Sequence, residues 1–405
     1  MRPDGPLVTR PGALCGAWTC LLTAVTFADG LWSNRSSPGL GGLFNDFADY
    51  WAAARILDQG GDPYDTRLVS HVLDQAGMHT LVGTGYSYPL LLAELLRPLG
   101  LLPPLVAGAL FTAASLACLW LAMALLLSPL AGASRVPALA IATAAGLSAP
   151  IGGSLYVGQV NLVLLAPLAL AFRGAAGPAG LAIAAAVKLY PAAAALAFGT
   201  AGRRGLRQLA LTGGATVALA LGPNLVTGRW SYGSSLLAMF GRDPFWTNQS
   251  LNGWLSRLAP PDLPVTPLMV AIAAALGALT LAVVARQSKG WPAAFALLLW
   301  YGVVAAPKNS LWNFAPLLVV GVSTWTLVRG RPAATLLLVL SWALIDGLWP
   351  AGALLGSTPA AAWATSAPLY GALLLGGVLS WALLRQPRHE HHLSHATAGP
   401  GDSRR

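Results

Sequence analysis

Charged residues are scarce in this chain and make up only 9% of its 405 residues. A soluble globular protein carries about 25% charged residues, whereas 56% of this chain is hydrophobic. Its apolar residues also form long continuous runs, such as 105–127, and about 20 apolar residues are enough for a helix to span a bilayer. Because these runs do not alternate with polar residues, they exclude a transmembrane β-barrel. The composition therefore predicts an all-α polytopic membrane protein.

Cysteine is also rare, and the usual nucleotide-binding motifs are missing. The three cysteines, Cys15, Cys20 and Cys118, lie within apolar segments without the spacing of metal ligands. We interpret them as small apolar residues. No Walker or dinucleotide-binding glycine pattern occurs. We therefore predict no required cofactor and no metal site, although the acid pair described below could hold a divalent ion.

Ten segments are apolar enough to be membrane spans. The first follows Arg2 and Arg10 and has no convincing cleavage site, so we interpret it as a retained helix rather than a signal peptide. The predicted spans are 13–31, 105–128, 136–151, 156–172, 206–224, 265–286, 291–306, 310–328, 332–350 and 363–384.

The stretch 177–201 is apolar but is interrupted by Lys188 and Pro191. Each half has about 11 residues, or about 16 Å of helix, and a bilayer core is about 30 Å thick. We therefore predict a broken hairpin that enters half of the membrane and returns. It brings Arg173 and the basic cluster 203–207 to the same membrane face, within a bundle of about 10–12 helices.

The basic residues predict how the chain is oriented. With the N-terminus in the cytoplasm and 177–201 as a hairpin, fifteen lysines and arginines fall inside and eight outside, as the positive-inside rule requires. This placement explains the net charge of +10 without a nucleic-acid partner. We predict one integral membrane domain, 1–384, with outer segments at 33–104 and 225–264 that contain interfacial helices. The predicted cytoplasmic tail, 385–405, is disordered, so both termini are cytoplasmic.

Lys188 is the least ordinary residue, because it lies at the tip of the hairpin. A cation at the bilayer centre costs about 2.5–3.5 kcal/mol on insertion scales. Such a residue faces a partner or a cavity, or it extends toward the outer interface. The ligand that fits a cation at this depth is an anion, such as a lipid phosphate.

Asp46 and Asp49 lie in a run, 44–57, that is typical of a helix. Residues at i and i+3 share one helix face, about 5–6 Å apart. The pair follows the first span directly, so it lies near a membrane surface. It is either a catalytic base with a helper or a solvated helix start, where acids are favoured by the helix dipole.

Three polar clusters, 158–161, 248–252 and 308–313, fall on the outer side of this topology. Their amides could bind a sugar or could satisfy one another between helices. Their placement on one membrane face favours a shared site.

The order of these motifs resembles glycosyltransferase family 87, a member of the GT-C superfamily of integral membrane transferases. The resemblance runs from about Leu43 to Asn313. Its stretches are Asp46-Phe47 with Tyr50 and 52–55, then 60–64, Tyr88-Pro89-Leu90, 158–162, 188–191 and 248–251.

The resemblance implies an extracytoplasmic active site in the plasma membrane. The donor would be a polyprenyl-phosphate sugar, with mannose or arabinofuranose as the sugar, and the acceptor a glycolipid or a glycan. Asp46 would be the catalytic base, and Asp49 would orient the acceptor or a basic group. The donor phosphate would be bound first by Lys188, second by Lys308 and third by Arg55.

Seven polar residues are further predicted to bind the sugar or the acceptor. They are Tyr50, Tyr88, Gln159, Asn161, Asn248, Gln249 and Asn313. Members of the family often carry a histidine near the last position, after Ser-Trp. This chain instead reads Asn-Ser-Leu-Trp-Asn over 309–313, and Asn313 can donate a hydrogen bond but cannot carry a proton.

Two other functions stay open at this stage. One is a lipid or sugar transporter or flippase, but such proteins often have matching broken helices in two repeats, and we find one broken segment. The other is a catalytically inactive member of the family, which the missing histidine allows.

Overall fold

The computed structural model describes residues 6–37, 42–78, 85–286, 290–347 and 359–385. Every regular element in these ranges is a helix. The one β feature among the described residues is an isolated bridge between Asn248 and Ser310. The α-helices are α1 Arg10–Ser33, α2 Asn45–Asp58, α3 Thr66–Gln75, α4 Leu90–Gly100, α5 Pro104–Ala133, α6 Arg135–Gly146, α7 Ala149–Tyr156, α8 Asn161–Phe172, α9 Gly177–Val187, α10 Gly202–Thr227, α11 Tyr232–Ala238, α12 Leu251–Leu258, α13 Val265–Arg286, α14 Trp291–Ala305, α15 Leu317–Val328, α16 Pro332–Gly347, α17 Pro359–Thr365 and α18 Ala367–Leu384.

Six helical stretches in the described residues are long and apolar enough to cross a membrane. They are α1, α5, 190–227, α13, 311–328 and α18. A seventh is possible if α6 and α7, which bend by 45°, act as one span, and α8, α9, α14 and most of α16 are shorter apolar helices. The prediction of an all-α multi-pass membrane protein is therefore confirmed, with fewer full-length spans than the ten expected.

The largest difference from the predicted spans lies between 136 and 172. The expected pair 136–151 and 156–172 is instead three helices, α6, α7 and α8. Pro150 occupies the first turn of α7, where its missing N–H is not needed, and Gly158 turns the chain with a positive φ of 69°. The breaks therefore follow the proline and the glycine. At the other end of the chain, 348–350 and nearly all of the predicted tail 385–405 lie outside the described residues.

The chain reverses direction at Lys188, as the sequence predicts. The Lys188 ammonium donates to Asn161, at the start of α8, and Gly302, near the end of α14, lies against the carbonyl of Tyr190. Both the end of α9 and the start of the return limb therefore lie at one end of the bundle.

The return limb runs back to the opposite end. Phe198 stacks on Trp291, at the start of α14, with ring centroids 4.2 Å apart. Phe172, at the end of α8, contacts Phe295 in the same region. This limb, Tyr190–Ala201, is a 3₁₀-helix rather than the predicted α-helix. At about 2.0 Å rise per residue it reaches about 24 Å.

The two segments that we predict to lie outside the membrane, 33–104 and 225–264, contact each other. Arg229, just after α10, donates to the carbonyl of Gly60 at 2.7 Å. The Ser231 hydroxyl donates to the carboxylate of Asp62 at 2.6 Å. These contacts hold α11 beside the loop that follows α2.

The start of α2 is fixed by backbone hydrogen bonds to the α7–α8 connection. Phe44, with a left-handed φ of 58°, donates its N–H to the carbonyl of Tyr156 at 2.9 Å, and Asp46 donates its N–H to the carbonyl of Val157 at 2.9 Å. Phe47 is fully buried and packs directly on Gly158. This docking sets the position of the Asp46 carboxylate.

We expect Gly158→Ala to destabilise this junction. A Cβ at Gly158 would lie 2.5 Å from the Cβ of Phe47, at a backbone φ of 69° that disfavours alanine. The strain predicts a loss of about 1–3 kcal/mol, visible as a lower thermal midpoint of the protein in nanodiscs. Gly132→Ala is the control, because Gly132 lies in a helix with nothing within 4 Å of the added carbon. Equal midpoints for the two variants would contradict the prediction.

Candidate active site

A cavity of about 1310 Å³ is lined by residues of the two predicted outer segments and of the ends of several helices. Asp46, Asp49, Lys188, Lys308 and Asn313 all line it. The structure therefore brings together two acids from the first outer segment, the lysine at the hairpin tip and two residues of the 308–313 cluster.

A short network of hydrogen bonds orients Asp46. The Gln159 side-chain N–H₂ donates to a carboxylate oxygen of Asp46 at 2.5 Å. The hydroxyls of Tyr50 and Tyr88 both donate to the amide oxygen of Gln159, at 2.5 and 2.9 Å. Because the backbone N–H of Val160 also donates to this oxygen at 3.1 Å, the N–H₂ group of Gln159 faces Asp46. These three predicted sugar-binding residues therefore position the carboxylate.

Two opposing influences act on the ionisation of Asp46. Burial raises the pKa of Asp46, while the hydrogen bond from Asn45, the charge of Lys188 and the hydrogen bond from Gln159 lower this pKa. The side chain is half-buried, with its exposed part facing the cavity. Burial has the largest influence, so the pKa of Asp46 lies above its usual value, which makes the carboxylate a stronger proton acceptor.

Lys188 is held by two asparagine side chains. Its ammonium donates to the amide oxygens of Asn161 at 3.0 Å and of Asn313 at 2.5 Å. It also lies 5.2 Å from the centre of the Tyr88 ring. An ammonium has three N–H donors, so one remains for a ligand in the cavity. The arrangement can bind an anion beside Asp46.

Asn313 stands at the place where the expected histidine would act. It accepts hydrogen bonds from Lys188 and from the Asn161 side chain, the latter at 2.8 Å. Asn161 also donates to the carbonyl of Trp312 at 2.8 Å. Asn313 therefore orients the cation directly, and this role needs no proton transfer.

The comparison with known families accords with this geometry. The model of glycosyltransferase family 87 matches residues 86–307, which is more than half of the chain. This chain belongs to glycosyltransferase family 87. As a family 87 protein with multiple apolar helices it is a membrane glycosyltransferase. No curated protein and no solved structure matches it significantly.

The family 87 match contains only part of the site. Tyr88, Gln159 and Lys188 lie within the matched residues, whereas Asp46 precedes them and Asn313 follows them. Hydrogen bonds join both flanking residues to the matched part, through Gln159 and Lys188. The candidate site of this family 87 enzyme therefore extends beyond the matched residues on both sides.

Asp49 lies beside Asp46 on the same face of α2. One of its carboxylate oxygens is buried without a hydrogen-bond partner among the described residues. Burial, and then the negative charge of Asp46, raises the pKa of Asp49 to about 7. Near neutral pH this carboxyl group is therefore partly protonated, and it adds a second negative charge only as the pH rises.

We expect Asp49→Asn to stabilise the protein increasingly from about pH 4 to pH 7. The unfolded chain ionises this group near 3.8 and the folded protein near 7, so wild type loses stability as the pH rises through this window. The variant lacks this loss. The difference in thermal midpoint between variant and wild type should grow up to about pH 7 and then stay constant. Asp74→Asn, at an exposed site of α3, is the control, and a difference independent of pH would contradict the prediction.

The other two predicted phosphate ligands of the family 87 site differ from Lys188. Lys308 lines the cavity but is 59% exposed and forms an ion pair with Asp243 at 3.0 Å. Arg55 does not line the cavity. It lies nine residues after Asp46, about two and a half helical turns, and so on the opposite face of α2. There it contacts the Trp51 ring and the carbonyl of Gly100.

Asn248 and Gln249 lie behind the cavity wall rather than in it. The Asn248 side-chain oxygen accepts from the Ser250 hydroxyl at 2.8 Å and from the N–H of Asn309 at 3.2 Å. The Gln249 amide donates to the carbonyls of Trp246 and Thr365. The bond to Asn309 ties Asn248 to the residue that follows Lys308. Direct binding of sugar by either residue stays a prediction.

The role of Asp346 at the start of α7 was not predicted from the sequence. Its carboxylate accepts a hydrogen bond from the backbone N–H of Ala149, the first residue of α7. A carboxylate at a helix N-terminus is stabilising, and here it fixes the helix that carries Tyr156. The available signal was a lone acid within the apolar run of α16.

Proposed function

We propose that this family 87 enzyme transfers a sugar from a polyprenyl-phosphate donor to a hydroxyl group of a glycolipid or polysaccharide on the extracytoplasmic side of the plasma membrane. The observation that supports this most is that one cavity is lined by both Asp46 and Lys188. A base and a buried cation are the two groups that such a transfer needs. Mannose and arabinofuranose are the proposed sugars.

In the proposed reaction Asp46 accepts the proton of the acceptor hydroxyl. The acceptor oxygen forms a bond to the anomeric carbon, and the bond from that carbon to the phosphate oxygen breaks. The phosphate leaves with the bonding electrons and gains a second negative charge. Lys188 stabilises this charge through its remaining N–H donor, in a site where little water weakens the interaction. No cofactor takes part, and the absence of a metal requirement stays a prediction.

The wall of the cavity beside Lys188 suits a lipid. It is formed by apolar side chains of the return limb and of the segment around α11, namely Leu189, Ala193, Leu236, Met239 and Phe245. The first two follow Lys188 in the chain. A polyprenyl chain on this wall would place its phosphate at the ammonium.

A transfer assay on the purified protein in nanodiscs tests both the type of reaction and the identity of the sugar donor. Radiolabelled polyprenyl-phosphate mannose and polyprenyl-phosphate arabinofuranose are offered separately, with an actinobacterial lipid extract as the source of acceptors. Transfer of one sugar by wild type and not by Asp46→Asn is expected. Absence of transfer from both donors, with the donors still bound, would indicate an inactive member of the family.

The proposed side of the membrane has its own test. Single cysteines at Arg67 and Arg204, both exposed, are introduced into a variant without Cys15, Cys20 and Cys118. An impermeant thiol reagent added to intact cells should label position 67 and not position 204. Labelling of both positions from the same side would contradict the topology.

A further inference from the structure

The cavity has a second wall that the transfer described above does not use. It is formed by residues of the second half of α1 and of α7, which are separate from the apolar lining residues Leu189 and Leu236. The polar and aromatic residues on this wall are Thr26, Asp29, Ser33, Asn34, Tyr156 and Trp312. We name it the α1 wall.

The α1 wall is a built surface in which side chains support one another. The Tyr156 ring packs against Phe27, with ring centroids 5.9 Å apart, and lies against Gly30. The Asn34 side chain donates to the carbonyl of Gly30 at 2.9 Å. One aromatic face, that of Tyr156, and the amide of Asn34 are thus held in place along the cavity.

Glycine makes room for the second aromatic ring. A Cβ at Gly153 would lie 2.4 Å from the Trp312 ring, so the ring reaches its position only because α7 has no side chain there. The carbonyl of Trp312 is in turn fixed by the Ser154 hydroxyl at 3.0 Å. The ring is therefore held between α7 and Asn313, at the edge of the Lys188 cluster.

The charge of the α1 wall selects the kind of ligand. Asp29 is exposed, and no hydrogen bond or ion pair engages its carboxylate within the part of the chain that the structure describes. It repels a phosphate, whereas Lys188 and Lys308, which line the same cavity, attract one. Aromatic faces together with a carboxylate and an amide suit a neutral ligand with many hydroxyl groups, because the rings pack on its C–H faces and the polar groups accept its O–H donors.

The α1 wall also leads directly to the proposed base. The carbonyl of Tyr156 accepts the N–H of Phe44, and the carbonyl of Val157 accepts the N–H of Asp46. The Tyr156 backbone is therefore bonded to the segment that carries Asp46, and both side chains line the same cavity.

We infer that the α1 wall binds the sugar of the acceptor, a neutral glycoside, while the donor occupies the apolar wall. The identification of this ligand as the acceptor rests on the proposed function. The binding surface itself is defined by its residues and can be tested without turnover.

The first test is photoaffinity labelling of the full chain in nanodiscs. The probes are octyl mannoside and octyl arabinofuranoside that carry a diazirine on the sugar, each competed by its unlabelled form. Crosslinks within 26–34 and 149–157 are expected. Crosslinks within 232–246 instead, or no specific crosslink in the cavity with either probe, would overturn the inference.

This result separates the inference from the proposed function. Labelling of the α1 wall by a protein that transfers neither sugar would retain the binding site and reject the proposed donors. Transfer of sugar by a protein that is labelled on the apolar wall would support the proposed donors and reject the α1 wall as the binding site.

The second test is kinetic and uses Asp29→Asn. The loss of one charge-assisted hydrogen bond predicts an acceptor KM raised by about tenfold, a larger change than in the KM for the donor. Asp262→Asn, at an exposed site outside the cavity, is the matched control. An unchanged acceptor KM in Asp29→Asn, or an equal rise in the control, would overturn the role of Asp29.

Discussion

Replacing Asp46 by asparagine is expected to lower the rate of sugar transfer by about 10²–10⁴-fold, the usual effect of losing a general base. Asparagine keeps the volume of the side chain and an oxygen that can accept the hydrogen bond from Gln159. It cannot take the proton of an acceptor hydroxyl. The kcat should therefore fall while the affinity for the donor changes little, and a radiolabel transfer assay with separate donor-binding measurements checks both.

Asp58→Asn is the matched control for Asp46→Asn. Asp58 lies at the end of the same helix, but it is exposed and forms a surface ion pair with Arg97 at 3.1 Å, a contact of small energy. Its replacement should leave kcat within a factor of about two, because a surface pair contributes about 0–1 kcal/mol to stability and none to the reaction. Wild-type turnover by Asp46→Asn would reject Asp46 as the base.

The predictions that succeeded rest on constraints that act locally or through the bilayer. The break at Lys188 and Pro191 leaves halves too short to cross the membrane, so the chain must reverse there. The type of helix in the return limb was not predictable in the same way. Gly302 admits the backbone of Tyr190 at close range, and that contact joins residues far apart in the sequence.

The positions of Arg55 and Asp46 could have been predicted more accurately from the sequence. The spacing of nine residues already places them on opposite faces of one helix. The prediction of Arg55 as a phosphate ligand did not take into account on which face of the helix 44–57 this residue lies.

Asn248 and Tyr156 show what the sequence cannot provide. An amide such as Asn248 can bond a ligand or a backbone carbonyl with equal chemistry, and only the packed structure shows that Ser250 and Asn309 are its partners. The contact of Tyr156 with Gly30 joins positions 126 residues apart. The α1 wall therefore emerges only when the helices are packed.

Replacing Lys188 by methionine is expected to lower kcat by about 10²–10³-fold, the effect of removing one donor that stabilises developing negative charge. Methionine has a similar length but no charge, so the leaving phosphate would gain its second charge without a neighbouring cation. The hydrogen bonds to Asn161 and Asn313 are lost as well. Lys308→Met is the comparison, because its ammonium is exposed and already paired with Asp243. A larger loss for Lys308→Met would reverse the order of the two lysines.

The thermal midpoint distinguishes this catalytic role from a structural one. A buried cation is costly to place at membrane depth, and after its replacement the side-chain oxygen of Asn161 still accepts from the Tyr190 hydroxyl and that of Asn313 still accepts from Asn161. Lys188→Met should therefore keep or raise the midpoint in nanodiscs while activity falls. Such a combination is what a site that sacrifices stability for function predicts. If the midpoint fell in parallel with activity, the lysine would serve the packing of α8 and α9, and the loss of kcat would carry no information on the phosphate.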